Sequence, residues 1–454
     1  MIDRPVSRVV DLTDPSRNRL LGVTLEEARR RVASGDPEAV LSIDGSFALV
    51  GRADDGVTVR LARSLDRPLR YFLAKQAEGP LLVVADRIDA IAGRLAALGY
   101  ADQFHPSYTR MVPAHHVLEI RLVGCPDPLP AFRRFFDPPR GTLPADRDAI
   151  GRAYVSALAE EVRKWIASLD PAAPIGVCFS GGIDSGAVLL VAEHALRTLG
   201  ESPARLKAFT LAAPGRSGGD FAQAREFLRA TGRELYLEAI EAQEGDVDFS
   251  EAVAVVEDYK ALDVEAAAMA LALCRGIRRR YPDWKHLADG DGGDENLKDY
   301  PIEANPELTI RSVLSNPMLY QEGWGVSSVK HSLTYSGGQS RSCTRTYAPL
   351  ARWGFEGFSP FTRPSVVAVA EAIPFVALTD WSPERLYRLK AEIVGSGVAA
   401  VTGVAMPVYP KRRFQHGVLP EDELRRAAGD EAAYRAAFLS RYAAPAAPGV
   451  RAVP

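Results

Sequence analysis

Two short glycine-bearing acidic segments carry most of the chemistry that this chain of 454 residues can offer. The first runs Val177-Cys178-Phe179-Ser180-Gly181-Gly182-Ile183-Asp184-Ser185. An apolar strand that ends in Ser-Gly-Gly and opens into a helix presents backbone N–H groups and a positive helix end to an anion. Gly181 and Gly182 let phosphate oxygens approach the main chain, and the Ser180 and Ser185 hydroxyls add donors. Asp184 would repel a phosphate unless a cation lay between them, so its place in the loop calls for Mg²⁺. A second Ser-Gly-Gly, at Ser336-Gly337-Gly338-Gln339-Ser340, lacks both the aspartate and the preceding strand and reads as a plain loop. No GxxxxGK[ST] segment occurs, which excludes the P-loop geometry for γ-phosphate transfer.

The other segment is His286-Leu287-Ala288-Asp289-Gly290-Asp291-Gly292-Gly293-Asp294-Glu295. A calcium loop of the EF-hand kind needs Gly at its sixth position and Glu at its twelfth. Counted from Asp289, those positions hold Asp294 and Tyr300, so that reading fails. Asp263 suits contact with a substrate ammonium or simple solvation on a helix. Lys411-Arg412-Arg413 taken alone is a solvated basic patch.

These residues need a scaffold, and the pattern along the chain supplies one. Short apolar runs at 41–50, 57–62, 81–85 and 117–123, broken by turn residues, predict a β-rich amino-terminal domain. The proline-rich stretch 126–144 reads as a linker. Beyond it the order becomes helix 149–169, strand 175–179, helix 186–199, strand 207–212, helix 221–230 and strand 235–240. Alternation of that kind predicts a doubly wound parallel sheet. We expect domains at 1–145 and 146–442 and a disordered Ala/Pro-rich tail at 443–454.

Composition narrows the function. A net charge of -3 argues against a nucleic-acid partner, which would select a basic excess. No apolar run approaches the ~18–20 residues of a membrane span, and the first residues lack the apolar core of a secretion signal. The four scattered cysteines form no CxxC pair, which suits a cytoplasmic location.

The Ser180–Ser185 loop resembles the pyrophosphate loop of the ATP-pyrophosphatase superfamily, whose members form adenylated intermediates. The 289–295 segment is similar to the S-G-E-G-A-D-E loop of asparagine synthetases. Gly354-Phe355-Glu356-Gly357-Phe358-Ser359-Pro360-Phe361 resembles that family's G-V-E-x-R-x-P-F stretch. Pro410-Lys411-Arg412-Arg413-Phe414-Gln415-His416-Gly417 resembles its Q-K-x-x-F-x-x-G stretch. Asp44-Gly45-Ser46-Phe47-Ala48, Arg63 to Tyr71 and Ala85 to Ile91 resemble the later part of the family's glutaminase domain, an Ntn-type α+β sandwich. That domain uses a cysteine at residue 2, where this chain has Ile2, so we expect no glutamine hydrolysis and a structural relic. β-Lactam synthetases share the loss and take an amine of the substrate as nucleophile.

The resemblance implies an ATP-dependent ligase that adenylates a small-molecule or peptide carboxylate and couples it to an amine. It places Mg²⁺ between Asp184 and Asp294, and pyrophosphate against Ser180, Gly181, Gly182, Ser185 and Gly290. Adenine falls near Leu211, which otherwise reads as sheet core. Lys411 becomes the stabiliser of the oxyanion and Glu356 the general base. Asp291 stands where asparagine synthetases have Glu and β-lactam synthetases have Tyr, which leaves the second substrate open. An ammonia-dependent asparagine synthetase and an inactive nucleotide-binding scaffold remain as alternatives, and self-association is left open. The stretch 301–347 matches nothing in the family and suits a substrate loop or lid.

Overall fold

The computed structural model describes residues 8–76, 79–123, 129–215, 218–299, 302, 309–315, 343–410 and 429–443. Ten strands of the described amino-terminal part are β1 (Val9–Asp11), β2 (Arg19–Leu21), β3 (Asp44–Ser46), β4 (Ala48–Arg52), β5 (Thr58–Arg63), β6 (Arg70–Ala74), β7 (Leu81–Ala85), β8 (Arg110–Met111), β9 (His116–Arg121) and β10 (Ala131–Arg134). They form sheets of order β1-β7-β6-β8 and β10-β9-β5-β4, with a small β2-β3 ribbon.

Strand β7 is apolar at every position because both of its faces are covered. Leu82 and Val84 pack with Leu61, Leu118 and Ile120 of the facing sheet. Leu81, Val83 and Ala85 pack with Ile91 and Leu95 of the Ile88–Ala97 helix. On the far side, Ala28 and Val32 of the Leu25–Ser34 helix cover Leu49, Ala62 and Val117. The layers run helix, sheet, sheet, helix, consistent with the expected α+β sandwich.

Two local features depart from the sequence reading. Part of the expected linker is strand β10, which pairs antiparallel with β9. Prolines flank these four residues without interrupting them, and an edge strand tolerates that. The Leu25–Ser34 helix was not expected; Thr24 caps it by accepting from the Glu27 N–H at 3.2 Å.

The second half is built on a parallel sheet of β11 (Ile175–Cys178), β12 (Leu206–Ala212), β13 (Leu237–Glu241), β14 (His286–Ala288) and β15 (Glu356–Phe358). Its order is β13-β12-β11-β14-β15. The chain grows outward from β11 to β13, then returns to place β14 on the other side of β11. Strand order therefore reverses between β11 and β14, where open α/β sheets bind their ligands.

Helices Arg147–Ala167, Ile183–Thr198 and Pro383–Thr402 cover one face, and Ala261–Arg280 covers the other. The first and third of these cross where Gly151 meets Gly397; a Cβ on Gly397 would lie 2.2 Å from the Gly151 carbonyl oxygen. The close crossing sets the middle of the Pro383–Thr402 helix against the sheet. The halves dock through apolar contacts, such as Ile88 with Val253 and Val264, and through polar groups. Glu257 accepts from the Ile88 and Asp89 N–H groups at 2.8 and 2.9 Å, capping a helix whose own N-cap residue, Arg87, makes no side-chain cap. Among the described residues no helix is long and apolar enough to cross a membrane.

Candidate active site

The loop after β11 is held in shape by its own serines. The Ser180 N–H donates to Ser185 Oγ at 3.3 Å, and the Gly182 N–H donates to Ser180 Oγ at 3.3 Å. Gly181 has φ +74°, and a Cβ there would sit 2.8 Å from the Ala224 backbone, so the tight turn against the Gly219–Ala230 helix requires glycine. Gly182 is the N-cap residue of the Ile183–Thr198 helix, which leaves Asp184 in its first turn.

The loop after β14 leans directly on this one. A Cβ on Gly290 would come within 2.9 Å of the Ser185 nitrogen, and one on Gly293 within 2.2 Å of Asp184 Oδ1. Asp289 is buried, accepts from Ser359 Oγ at 2.9 Å and from the Asp291 N–H at 3.0 Å, and so ties the loop to the end of β15. Burial pushes the Asp289 carboxyl well above its ordinary range, with Asp291 acting in the same direction. Burial also lifts Asp291 to about 6; the Thr346 hydroxyl and Arg345 oppose that rise, while Glu295 and Asp294 add to it. A carboxylate near 6 is well placed to take a proton at neutral pH.

The residue that joins the two loops is Lys390, which was not anticipated. Its Nζ donates to Asp184 Oδ2 at 2.6 Å and also to Asp294 Oδ1, and lies 3.5 Å from Asp299 Oδ2. Lys390 is only 2% exposed. Burial alone would strip its proton, but Asp184, Asp294 and Asp299 override it and hold the ammonium well above the ordinary lysine range. A signal for it existed in the sequence. The buried positions of the Pro383–Thr402 helix are Leu386, Leu389, Lys390, Ile393, Val394, Gly397 and Val398, so a lysine stands within the apolar stripe. Such a lysine needs anionic partners.

The structure therefore brings together Ser180, Gly181, Gly182, Asp184, Ser185, Gly290, Asp291 and Asp294. Leu211 lies near the end of β12, with its side chain in the core shared with Met269 and Leu273. Asp263 is fully buried and pairs with Arg345 Nε at 2.7 Å, so it is not a solvated helix acid. Glu356 is not brought to the loops. It opens β15 opposite His286, three residues before Ser359, or about 10 Å back along the strand. There it pairs with Arg19 of the amino-terminal half and lies 3.1 Å from His286 Nδ1. Motif order places the glutamate on this strand without saying which end faces the site. Lys411 and the Ser336–Ser340 loop lie outside the described residues.

The cation between Asp184 and Asp294 is a test of the expected metal seat: two carboxylates from separate loops converge on one positive centre, as a magnesium pair must. Among the described residues no three His, Cys, Asp or Glu side chains form a metal cage. That donor set fits Mg²⁺, which usually takes one or two carboxylates and completes its shell with phosphate and water.

Among curated proteins, no match to this chain is found. Residues 157–341 match the family model described as Asparagine synthase, a span that includes both loops and, against expectation, most of the 301–347 stretch, and ends before β15 and Lys390. Residues 157–341 are thus similar to asparagine synthases, and a domain of that kind supports an ATP-dependent ligase that forms amide bonds.

Proposed function

We propose that the protein activates a carboxylate by adenylation, releasing pyrophosphate, and then transfers the acyl group to an amine. The observation that carries the reading is the meeting of Asp184 and Asp294 at the switch point of the parallel sheet, beside the glycine-serine loop. A loop of main-chain N–H groups at a helix N-terminus suits the β- and γ-phosphates, which leave together as pyrophosphate. Ser180 and Ser185 position that leaving group, and Gly290 keeps the second loop close enough for Asp294 to reach it. Mg²⁺, held by Asp184 and Asp294 when bound, supplies neutralisation of the charge developing on the pyrophosphate.

In the second half-reaction an amine attacks the acyl carbon and must lose a proton. Asp291 is our choice for that base, because it flanks the site and its carboxyl is lifted to about 6. Glu356, paired with Arg19 away from the loops, is not assigned that role. Lys411 is assigned to the tetrahedral oxyanion on the motif alone. Arg345 pairs with Asp263 and Thr346 faces Asp291, so the end of the 301–347 stretch adjoins the acceptor side.

The test is ATP–pyrophosphate exchange, screened over carboxylic acids. Exchange with some acid, abolished in Asp184→Asn and Asp294→Asn variants that keep their melting curves, is the expected result. Unaltered exchange in Asp184→Asn would remove the phosphate-loop assignment.

A further inference from the structure

We propose that Lys390 holds the metal's place in the nucleotide-free protein, so that the divalent cation enters only together with ATP. The inference rests on the assignment of Asp184 and Asp294 as the magnesium pair. A Mg²⁺ bridging those two carboxylates would sit about 2.1 Å from each oxygen. The ammonium of Lys390 already touches Asp184 Oδ2 at 2.6 Å and the nearer Asp294 oxygen. Two cations cannot share that volume, so binding the metal requires the ammonium to leave.

Its retreat is constrained. The side chain is 3% exposed and its helix is locked by the Gly151–Gly397 crossing, so the ammonium cannot swing out into water. Two anions are available to it inside the site: Asp299, already 3.5 Å away, and the phosphate chain of an incoming nucleotide. Free metal offers only Asp299 in exchange for two carboxylates, and it places a divalent charge beside a buried ammonium. The metal–nucleotide complex brings its own negative charge and gives the displaced ammonium a new partner. Asp184 and Asp294 have side-chain exposures of 20% and 35%, so the pair remains accessible while the lysine beneath it does not. Lys390 thus acts as a positioning residue: it keeps the two loops assembled before substrate arrives and makes metal uptake conditional on ATP.

The test uses Mn²⁺ as the probe, followed by electron paramagnetic resonance on the full chain. Without nucleotide, wild-type protein is expected to leave Mn²⁺ free at millimolar concentration. With α,β-methylene-ATP present, one Mn²⁺ per chain should bind in excess of that bound by the analogue alone. In Lys390→Met, nucleotide-free binding should tighten by about tenfold or more, since the competing charge is gone. Tight Mn²⁺ binding to nucleotide-free wild type overturns the inference, even if Lys390→Met proves unable to fold. Unchanged binding in a folded Lys390→Met protein overturns it as well. No Mn²⁺ on the protein in any state, nucleotide included, would remove the metal assignment itself, which separates failure of the inference from failure of the proposed function.

Discussion

A methyl group at position 293 would dislodge Asp184 while leaving the fold almost untouched. Gly293 opens the short Gly293–Leu297 helix, and its φ is not positive, so alanine fits the backbone. The new Cβ would lie 2.2 Å from Asp184 Oδ1 and 2.4 Å from Asp184 Cγ. Ordinary contact requires more than 3 Å, so the carboxylate must retreat by about 1 Å. The far end of an aspartate can rotate away at modest expense, about 1 kcal/mol, the low end of overpacking costs. A shift of about 1 Å in a charged group of the active site costs about 10²-fold in rate, or roughly 2.7 kcal/mol of barrier. Gly293→Ala should therefore melt close to wild type and lose most of its ATP–pyrophosphate exchange. Gly290→Ala supplies the contrast. Its Cβ would meet the Ser185 nitrogen at 2.9 Å and the Asp184 carbonyl carbon at 3.1 Å, both backbone atoms that cannot rotate aside. That variant should lose stability as well as exchange. The measurements are a melting curve and exchange rates for both proteins. Full exchange in Gly293→Ala would refute the claim that the Asp184 carboxylate must hold its present position.

Two further predictions concern the carboxylates. Burial lifts Asp291 to about 6, so its base form is lost as pH falls below that value, and amide formation at a fixed, low concentration of unprotonated amine should fall about tenfold per pH unit there. Asp291→Asn should lack that limb and retain exchange; a limb of the same position in the variant would dismiss Asp291 as the base. The same substitution should stabilise the fold at pH 8 and change little at pH 4. The folded pKa lies above the unfolded one, so stability contributed by the protonated form is lost as pH rises through 6. Glu356→Gln should keep turnover within about threefold, because its carboxylate pairs with Arg19 away from the phosphate loops. A loss of a hundredfold or more in steady-state turnover with an unchanged melting curve would return Glu356 to the chemistry.

What the sequence made legible was mostly local. Val177 to Ser185 announced strand, turn and helix because each step is set by neighbouring residues, and the structure places β11 and the Ile183–Thr198 helix there. The apolar runs at 207–212 and 235–240 correspond to β12 and β13 for the same reason. Strand β10 is hidden in the sequence because its pairing partner, β9, lies outside the proline-rich stretch that surrounds it. Thr24 and Glu27 carried a capping signature that was there to be found. Lys390 lay in an apolar stripe, and its partners Asp184 and Asp294 are 206 and 96 residues away, so only the tertiary fold reveals the trio. Glu356 illustrates the opposite limit: a matching motif named the residue, but the register of β15 against β14 decides which end of the sheet it serves.

Adenylation is distinguished from other ATP chemistry by where ATP is cut. The most direct measurement is product analysis for any acid and amine pair that supports turnover, with ¹⁸O in the substrate carboxylate. Adenylation predicts AMP and pyrophosphate in equal amounts, with one ¹⁸O carried into AMP for each amide formed. ADP and inorganic phosphate as products, or AMP free of label, would contradict it.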